Sequence, residues 1–371
     1  MNKIERTPLL EPARIITSPG EQFSLEHRLW QGCPTIERTP GGRLWAGWYS
    51  GGPKEPDELN YNILACSDDD GQNWHEPVLI IDSIPEMLLR AIDIQLWTDP
   101  GGKLWVFWTE TRDSAEKDEN GRCLEYCDAI FGTWAITCEK PDADQPEWSK
   151  PVRISDGFLR CRPTVLSDGR WIMCSYDWIS DRYAYSISTD QGSTWSRHYG
   201  AVKVMSEGHN FDETMVVELQ GNLLWMLART KRGALAQSFS YGSSDRWTPS
   251  GLSELKSPTS RFWIGRLASG RLLLINHLNF TGRSHLTALL SDDEGQTWPY
   301  SLLLDGREQV SYPDAIEYPD GKIACVHDYK RIGVGEINLS FFREEDILAG
   351  KPVSADCILS RKISGIEPVR N

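Results

Sequence analysis

The chain has 371 residues, a formal net charge of −14, sixteen tryptophans and nine cysteines. That charge argues against a nucleic-acid partner, which needs a basic stripe to replace counterions, and no apolar run approaches the length of a membrane span. The length is ample for a large core and suits either two domains or one large β domain.

The N-terminal stretch MNKIERTPLLEPARIITSPG has no apolar signal-type segment. Residues 1–24 read as an arm and residues 25–371 as one domain. No CxxC pair occurs, and Cys33, Cys66, Cys161, Cys174 and Cys325 sit inside apolar or β-like runs. Reduced cysteine behaves there as a small buried hydrophobe, so the expected setting is reducing and cytoplasmic.

Six hairpins follow in order. They are Pro34 to Trp48, Asp93 to Trp108, Pro163 to Tyr176, Asp212 to Thr230, Phe262 to His277 and Pro313 to His327. Each pairs two apolar runs across a glycine-bearing turn, the signature of a β-hairpin. The turn glycines are Gly42, Gly102, Gly169, Gly221, Gly270 and Gly321, spaced by 60, 67, 52, 49 and 51 residues. A repeat of roughly 50 residues built from strands alone marks a β-propeller. Six repeats predict an all-β fold, a six-bladed propeller with four-stranded antiparallel blades.

A second motif rides on the same period. Ser67 to Trp74, Ser188 to Trp195 and Ser291 to Trp298 fit S-x-D-x-G-x-[TN]-W, and Ser238 to Trp247 is a degraded copy. The Ser and Asp side chains suit a turn between outer strands, the Gly a left-handed backbone, and the Trp an interblade plug. The acids of this Asp-box are expected to form turns, not to catalyse. Trp148 takes the equivalent place in the second repeat, without the box. The charged insert Thr111 to Asp128 reads as a surface loop or lid holding Cys123 and Cys127. A short helix is expected to start near Arg343 and stop at Gly350.

The fourth hairpin carries an acid pair, Asp212-Glu213, at its start and Arg229 at its end. A hairpin returns on itself, so a carboxylate and a guanidinium reach the same rim.

From Arg28 to Val353 the chain resembles the sialidase (neuraminidase) superfamily of six-bladed propellers with BNR, or Asp-box, repeats. The family pattern of Glu, a hairpin and Ala-Arg matches Glu213 through Ala228-Arg229. A further Arg ahead of the fifth blade's outer strands matches Arg283. The Tyr-x-Asp that opens the last blade matches Tyr312-Pro313-Asp314, and the acid after the first hairpin matches Asp57. The resemblance implies Tyr312 as nucleophile, Glu213 as its base and Asp57 as general acid, with Arg229 and Arg283 gripping a substrate carboxylate. The chemistry is coherent. A carboxylate nucleophile would be repelled by a sugar carrying its own carboxylate at the anomeric carbon, and a neutral tyrosine is not. Guanidinium forks pair bidentately with carboxylates.

One departure stands out. The family's Arg-Ile-Pro triplet reads Gly32-Cys33-Pro34 here, so one clamp arginine is missing, and Arg28 is the candidate to replace it. Arg90 and Asp93 also face the expected rim, either on substrate or paired with each other. Arg160, Arg162 and His209 are weaker candidates, and Trp30 reads as core. No phosphate-binding glycine loop, metal-ligand cluster or G-x-S-x-G element is present, so no cofactor is expected. The resemblance therefore implies an exo-glycosidase that removes a terminal acidic sugar from an oligosaccharide or glycoside. The alternatives are a propeller lyase or hydrolase of uronic-acid oligosaccharides and a non-catalytic glycan-binding propeller.

Overall fold

Alternating apolar runs closed by glycine turns fold into hairpins, and the hairpins into blades. The computed structural model describes residues 11–112, 132–177, 180–204, 211–241 and 246–366. It is an all-β, six-bladed propeller with four antiparallel strands per blade. All six turn glycines have positive φ, from 75° to 101°, a region costly for residues with a Cβ.

Blade 1 runs inside to outside through Trp30–Arg38, Leu44–Gly51, Tyr61–Ser67 and His75–Asp82. The arm contributes to it: Arg14–Ile16 pairs antiparallel with His75–Asp82 as a fifth, outermost strand. Blade 2 begins at Leu89–Thr98, blade 4 at Met215–Leu219, blade 5 at Trp263–Arg266 and blade 6 at Val310–Glu317. Blade 3 departs from this regularity. Pro163 cannot donate to a ladder, and the inner hairpin splits into Thr164–Val165 against Trp171–Met173 and a separate pair, Phe158–Leu159 against Ser175–Tyr176.

The Asp-boxes form the expected turns. In each complete box the third-position carboxylate accepts a backbone N–H four residues on at 2.8 Å, from Asn73, Thr194 and Thr297. Each box glycine lies against the preceding blade. A Cβ on Gly71 would stand 2.8 Å from Leu339, on Gly192 2.9 Å from Trp105, and on Gly295 2.5 Å from Trp225. The first of these contacts joins blade 1 to blade 6, so the same gasket closes the ring. Among the described residues no strand is exchanged at that seam. Side chains bridge it instead: Thr35 Oγ donates to Asp314 at 2.6 Å, and Asp70 accepts from Tyr318 and Lys322.

The expected helix is Glu344–Ala349, ending on the left-handed Gly350. Its Asp346 accepts from the N–H of Arg343 at 2.8 Å and from Val353 and Ser354 at 2.6 and 2.8 Å. Most of the charged insert, with Cys123 and Cys127, and also His209, lie outside the described residues. Among the described residues no helix is long and apolar enough to cross a membrane.

Candidate active site

The blades' inner strands start on the face opposite the turn glycines. Cys33, Asp93, Arg160, Arg261 and Tyr312 each stand nine residues before their blade's turn glycine, and Glu213 stands eight before Gly221. One position per blade thus supplies a ring around the central axis. Four of the six are non-glycine residues in the left-handed region: Cys33 (φ 57°), Asp93 (58°), Glu213 (41°) and Tyr312 (56°). In blades 1, 2 and 6 the strand register shifts at this position. Bulges of this kind re-aim side chains beside functional sites, and each left-handed residue costs about 1–3 kcal/mol that the surrounding fold must hold.

The ring converges on Tyr312. Its hydroxyl donates to Glu213 Oε1 at 2.7 Å, and Arg229 Nη1 donates to the same hydroxyl at 3.0 Å. Arg229 also pairs with Glu213 Oε1 at 2.7 Å, and Arg160 approaches it at 3.8 Å. Burial opposes the Glu213 charge, but Arg229 and Arg160 outweigh it and hold the carboxyl below its ordinary pKa. Tyr312 moves the other way. Burial first, then the Glu213 charge, raises its pKa despite Arg229, Arg160 and Arg283. A neutral phenol therefore donates to an ionised carboxylate. Glu213 Oε2 and the hydroxyl of the buried Tyr176 have no hydrogen-bond partner among the described residues.

Guanidinium groups surround the Tyr312 ring. Their central carbons lie 4.5 Å (Arg331), 5.3 Å (Arg283), 5.4 Å (Arg261) and 5.8 Å (Arg160) from its centroid. Two of these are committed to the framework. Arg261 donates to the carbonyls of Arg160, Pro34, Tyr312 and Pro313, reaching across the axis from blade 5. Arg160 pairs with Asp93 at 2.7 Å. Arg283 bonds the Thr259 carbonyl and Ser311 Oγ (2.8 and 3.4 Å). Two residues further along the chain from Arg160, Arg162 joins three blades by bonding Glu37 (3.0 Å), the Ile36 carbonyl (2.7 Å) and Asp314 (3.1 Å).

The remaining residues singled out from the sequence fall in different places. Asp93 is in the ring, paired with Arg160; burial, opposed by Arg160, pushes its carboxyl up to about 7. Arg90 is buried, with its charge acting on Tyr49. Arg28 is not brought to Tyr312. Its guanidinium bonds the Phe23 carbonyl at 3.0 Å and pairs with Glu76 at 3.4 Å. Asp57 is half-buried in the loop after the first hairpin, where its carboxylate accepts the Leu59 N–H at 3.1 Å. In the same loop Glu55 reaches the ring, bonding Arg331 at 2.8 Å. Trp30 packs into the central cluster with Cys33, Tyr49, Tyr176 and Tyr312.

Cys33, Arg261, Arg331 and Glu55 were not singled out as site residues in the sequence. The constant offset from the turn glycine is a signal that finds Cys33 and Arg261. Arg331 and Glu55 lie on blade-top loops with no fixed offset. The Cys33 thiol keeps its proton, held by burial and by Glu55, so it is no rival nucleophile. Donor atoms of Cys33, Glu55 and Asp93 come within 4.8 Å of one another, but Arg331 and Arg160 already supply the positive charge there, so the trio calls for no metal ion.

Comparison with known proteins bears on the fold. The chain is similar to the NanB sialidase of Streptococcus pneumoniae (16% identity, TM-score 0.65, covering 88% of this chain and 69% of that one). It is also similar to the intramolecular trans-sialidase of Ruminococcus gnavus (14%, 0.68, 91% and 98%), solved with oseltamivir carboxylate. The leech intramolecular trans-sialidase, complexed with 2,7-anhydro-Neu5Ac, is a third neighbour (14%, 0.70, 90% and 71%). No curated protein matches the sequence. Identities this low establish a shared sialidase fold. The family profile of the BNR repeat-like domain matches residues 42–325, and it is to this family of repeat propellers that the chain belongs.

Proposed function

We propose that this protein is an exo-glycosidase that removes a terminal acidic sugar, sialic acid or a related ulosonic or uronic acid, from a glycoside. The observation that carries the reading is the Tyr312 hydroxyl donating to Glu213 at 2.7 Å while Arg229 contacts both. Glu213 takes the phenol proton as the Tyr312 oxygen attacks the anomeric carbon. The glycosidic C–O bond breaks, and its oxygen takes a proton from Asp57. Water, losing a proton to Asp57, then attacks the same carbon. The tyrosyl C–O bond breaks, and Glu213 returns the proton to the phenolate. Two displacements retain the anomeric configuration. Arg229 and Arg283 hold the substrate carboxylate.

The phenol stays protonated until attack because its pKa is raised, so Glu213 must work as a base. That arrangement favours nucleophilic displacement over binding alone, since a lectin has no use for a carboxylate buried against a tyrosine hydroxyl. The test is turnover of aryl glycosides of sialic acid, other ulosonic acids and uronic acids by wild type and Tyr312→Phe. We expect release of the aryl group from an acidic glycoside and a loss of about 10³-fold or more in kcat/KM for Tyr312→Phe. Unchanged turnover in Tyr312→Phe would remove the tyrosyl mechanism. A product absorbing in the near ultraviolet would identify a lyase instead.

A further inference from the structure

Arg331 opens the turn that follows Ile323–Tyr329 in blade 6. Of the guanidiniums facing the Tyr312 ring it is the nearest, at 4.5 Å. Its stem fills the place where a side chain at position 32 would lie. A Cβ built on Gly32 would stand 2.2 Å from Arg331 Cδ and 2.6 Å from Cγ. Two side chains cannot share that volume. The glycine that removes an arginine from blade 1 is therefore what admits one from blade 6.

The company of this guanidinium differs from that of Arg160 and Arg261. Arg160 is tied to Asp93, which is 1% exposed, and Arg261 to four carbonyls. Arg331 is held by Glu55 at 2.8 Å, with Cys33 Sγ at 3.2 Å and Asp328 Oδ2 at 3.5 Å. Asp328 is already occupied by the Cys33 N–H and Ser311 Oγ (2.9 and 2.6 Å). Glu55 sits on an exposed loop with its side chain 28% exposed, so it is a counter-ion that can leave. A carboxylate arriving over Tyr312 can take its place on the fork without leaving a buried charge unpaired.

We propose that Arg331 is the third carboxylate-binding guanidinium of this site, and that Glu55 is a resident counter-ion which the substrate's carboxylate displaces. The inference rests on the acidic-sugar reading above and sharpens it: the carboxylate lies between Arg229, Arg283 and Arg331, toward blade 6, and must compete with a built-in anion.

The experiment compares an aryl glycoside of sialic acid with its C1 carboxamide, in wild type, Arg331→Gln, Arg331→Lys, Arg331→Gly, Glu55→Gln and the double variant Gly32→Arg/Arg331→Gly. Arg331→Gln is expected to lose about 100-fold in kcat/KM on the acid and about 3-fold or less on the carboxamide, with Arg331→Lys between. Glu55→Gln is expected to lower KM for the acid several-fold and leave KM for the carboxamide in place. The double variant, which returns an arginine to blade 1, is expected to recover about tenfold over Arg331→Gly on the acid. Equal losses on both substrates would show a merely structural Arg331 and overturn the proposal. So would an acid preference that survives Arg331→Gln intact. If wild type itself does not prefer the acid to the carboxamide, the acidic-sugar reading fails, and this inference with it.

Discussion

Tyr312 is buried among charges that cannot all be satisfied by one another. Burial and Glu213 keep its proton on, while the arginines around it favour the phenolate. Glu213 is pulled the other way, below its ordinary 4.5, by Arg229 and Arg160 against the cost of burial. A base must be ionised to accept a proton, so the fraction of Glu213 able to act stays above one half until the pH drops below that value. The limb of kcat/KM controlled by Glu213 is therefore expected only below pH 4.5. Glu213→Gln should abolish that limb and cost about 10²–10⁴-fold in kcat/KM at neutral pH; a normal pH profile in the variant would show that Glu213 takes no proton. A second residue governs stability. Burial lowers the His277 pKa from 6.5 to about 4, only partly offset by the Ser284 carbonyl that its Nδ1 meets at 2.8 Å. Between these values the unfolded chain binds a proton that the folded chain refuses, so stability rises with pH across that window. Acidification from pH 6.5 to 4 should cost the wild type about 3 kcal/mol more than a His277→Asn variant, read from urea midpoints.

The working element is a hairpin with one residue aimed off the strand. Its turn, its box and its ring residue recur at set offsets, and that periodicity makes the fold legible from the chain. The box glycine shows the economy of the arrangement. Gly192 has φ 83°, and a Cβ there would stand 2.8 Å from Trp171 and 2.9 Å from Trp105. Gly192→Ala should therefore strain the backbone and force two rings apart at the seam of blades 2 and 3. We expect a loss of about 2–4 kcal/mol in chemical denaturation, with KM unchanged because the seam is remote from Tyr312. An equal substitution at Gly169, where a Cβ would meet nothing within 4 Å but φ is 88°, should cost only the backbone share, about 1–2 kcal/mol. Equal losses at the two sites would refute the packing role.

At the scale of the whole molecule, long-range polar bonds tie the ring of blades together. Arg261 holds carbonyls of blades 1, 3 and 6 from blade 5, and Arg162 holds blades 1 and 6 from blade 3. Asp314 is the acceptor that Thr35, the Ile36 N–H and Arg162 share. Asp314→Ala would leave a buried guanidinium and hydroxyl without that partner, at about 3–5 kcal/mol. Thermal and urea unfolding should show that loss; a change below about 1 kcal/mol would mean that the seam does not depend on Asp314.

The sequence by itself determined the number of blades, the four-stranded pattern, the box turns and the Arg343 to Gly350 helix. These depend on local periods and turn chemistry, which neighbours in the chain specify. It also placed Glu213, Arg229, Arg283 and Tyr312 at blade ends. Only the tertiary structure decided which blade ends meet. Arg28 looked available but turned to Phe23 and Glu76, because a guanidinium so deeply buried must find partners close by. Arg331, which no motif or offset marks in the sequence, lies over Tyr312 because Gly32, some 300 residues earlier in the chain, leaves its stem room. Such a pairing is a statement about shared volume, and volume is shared only once the ring has closed.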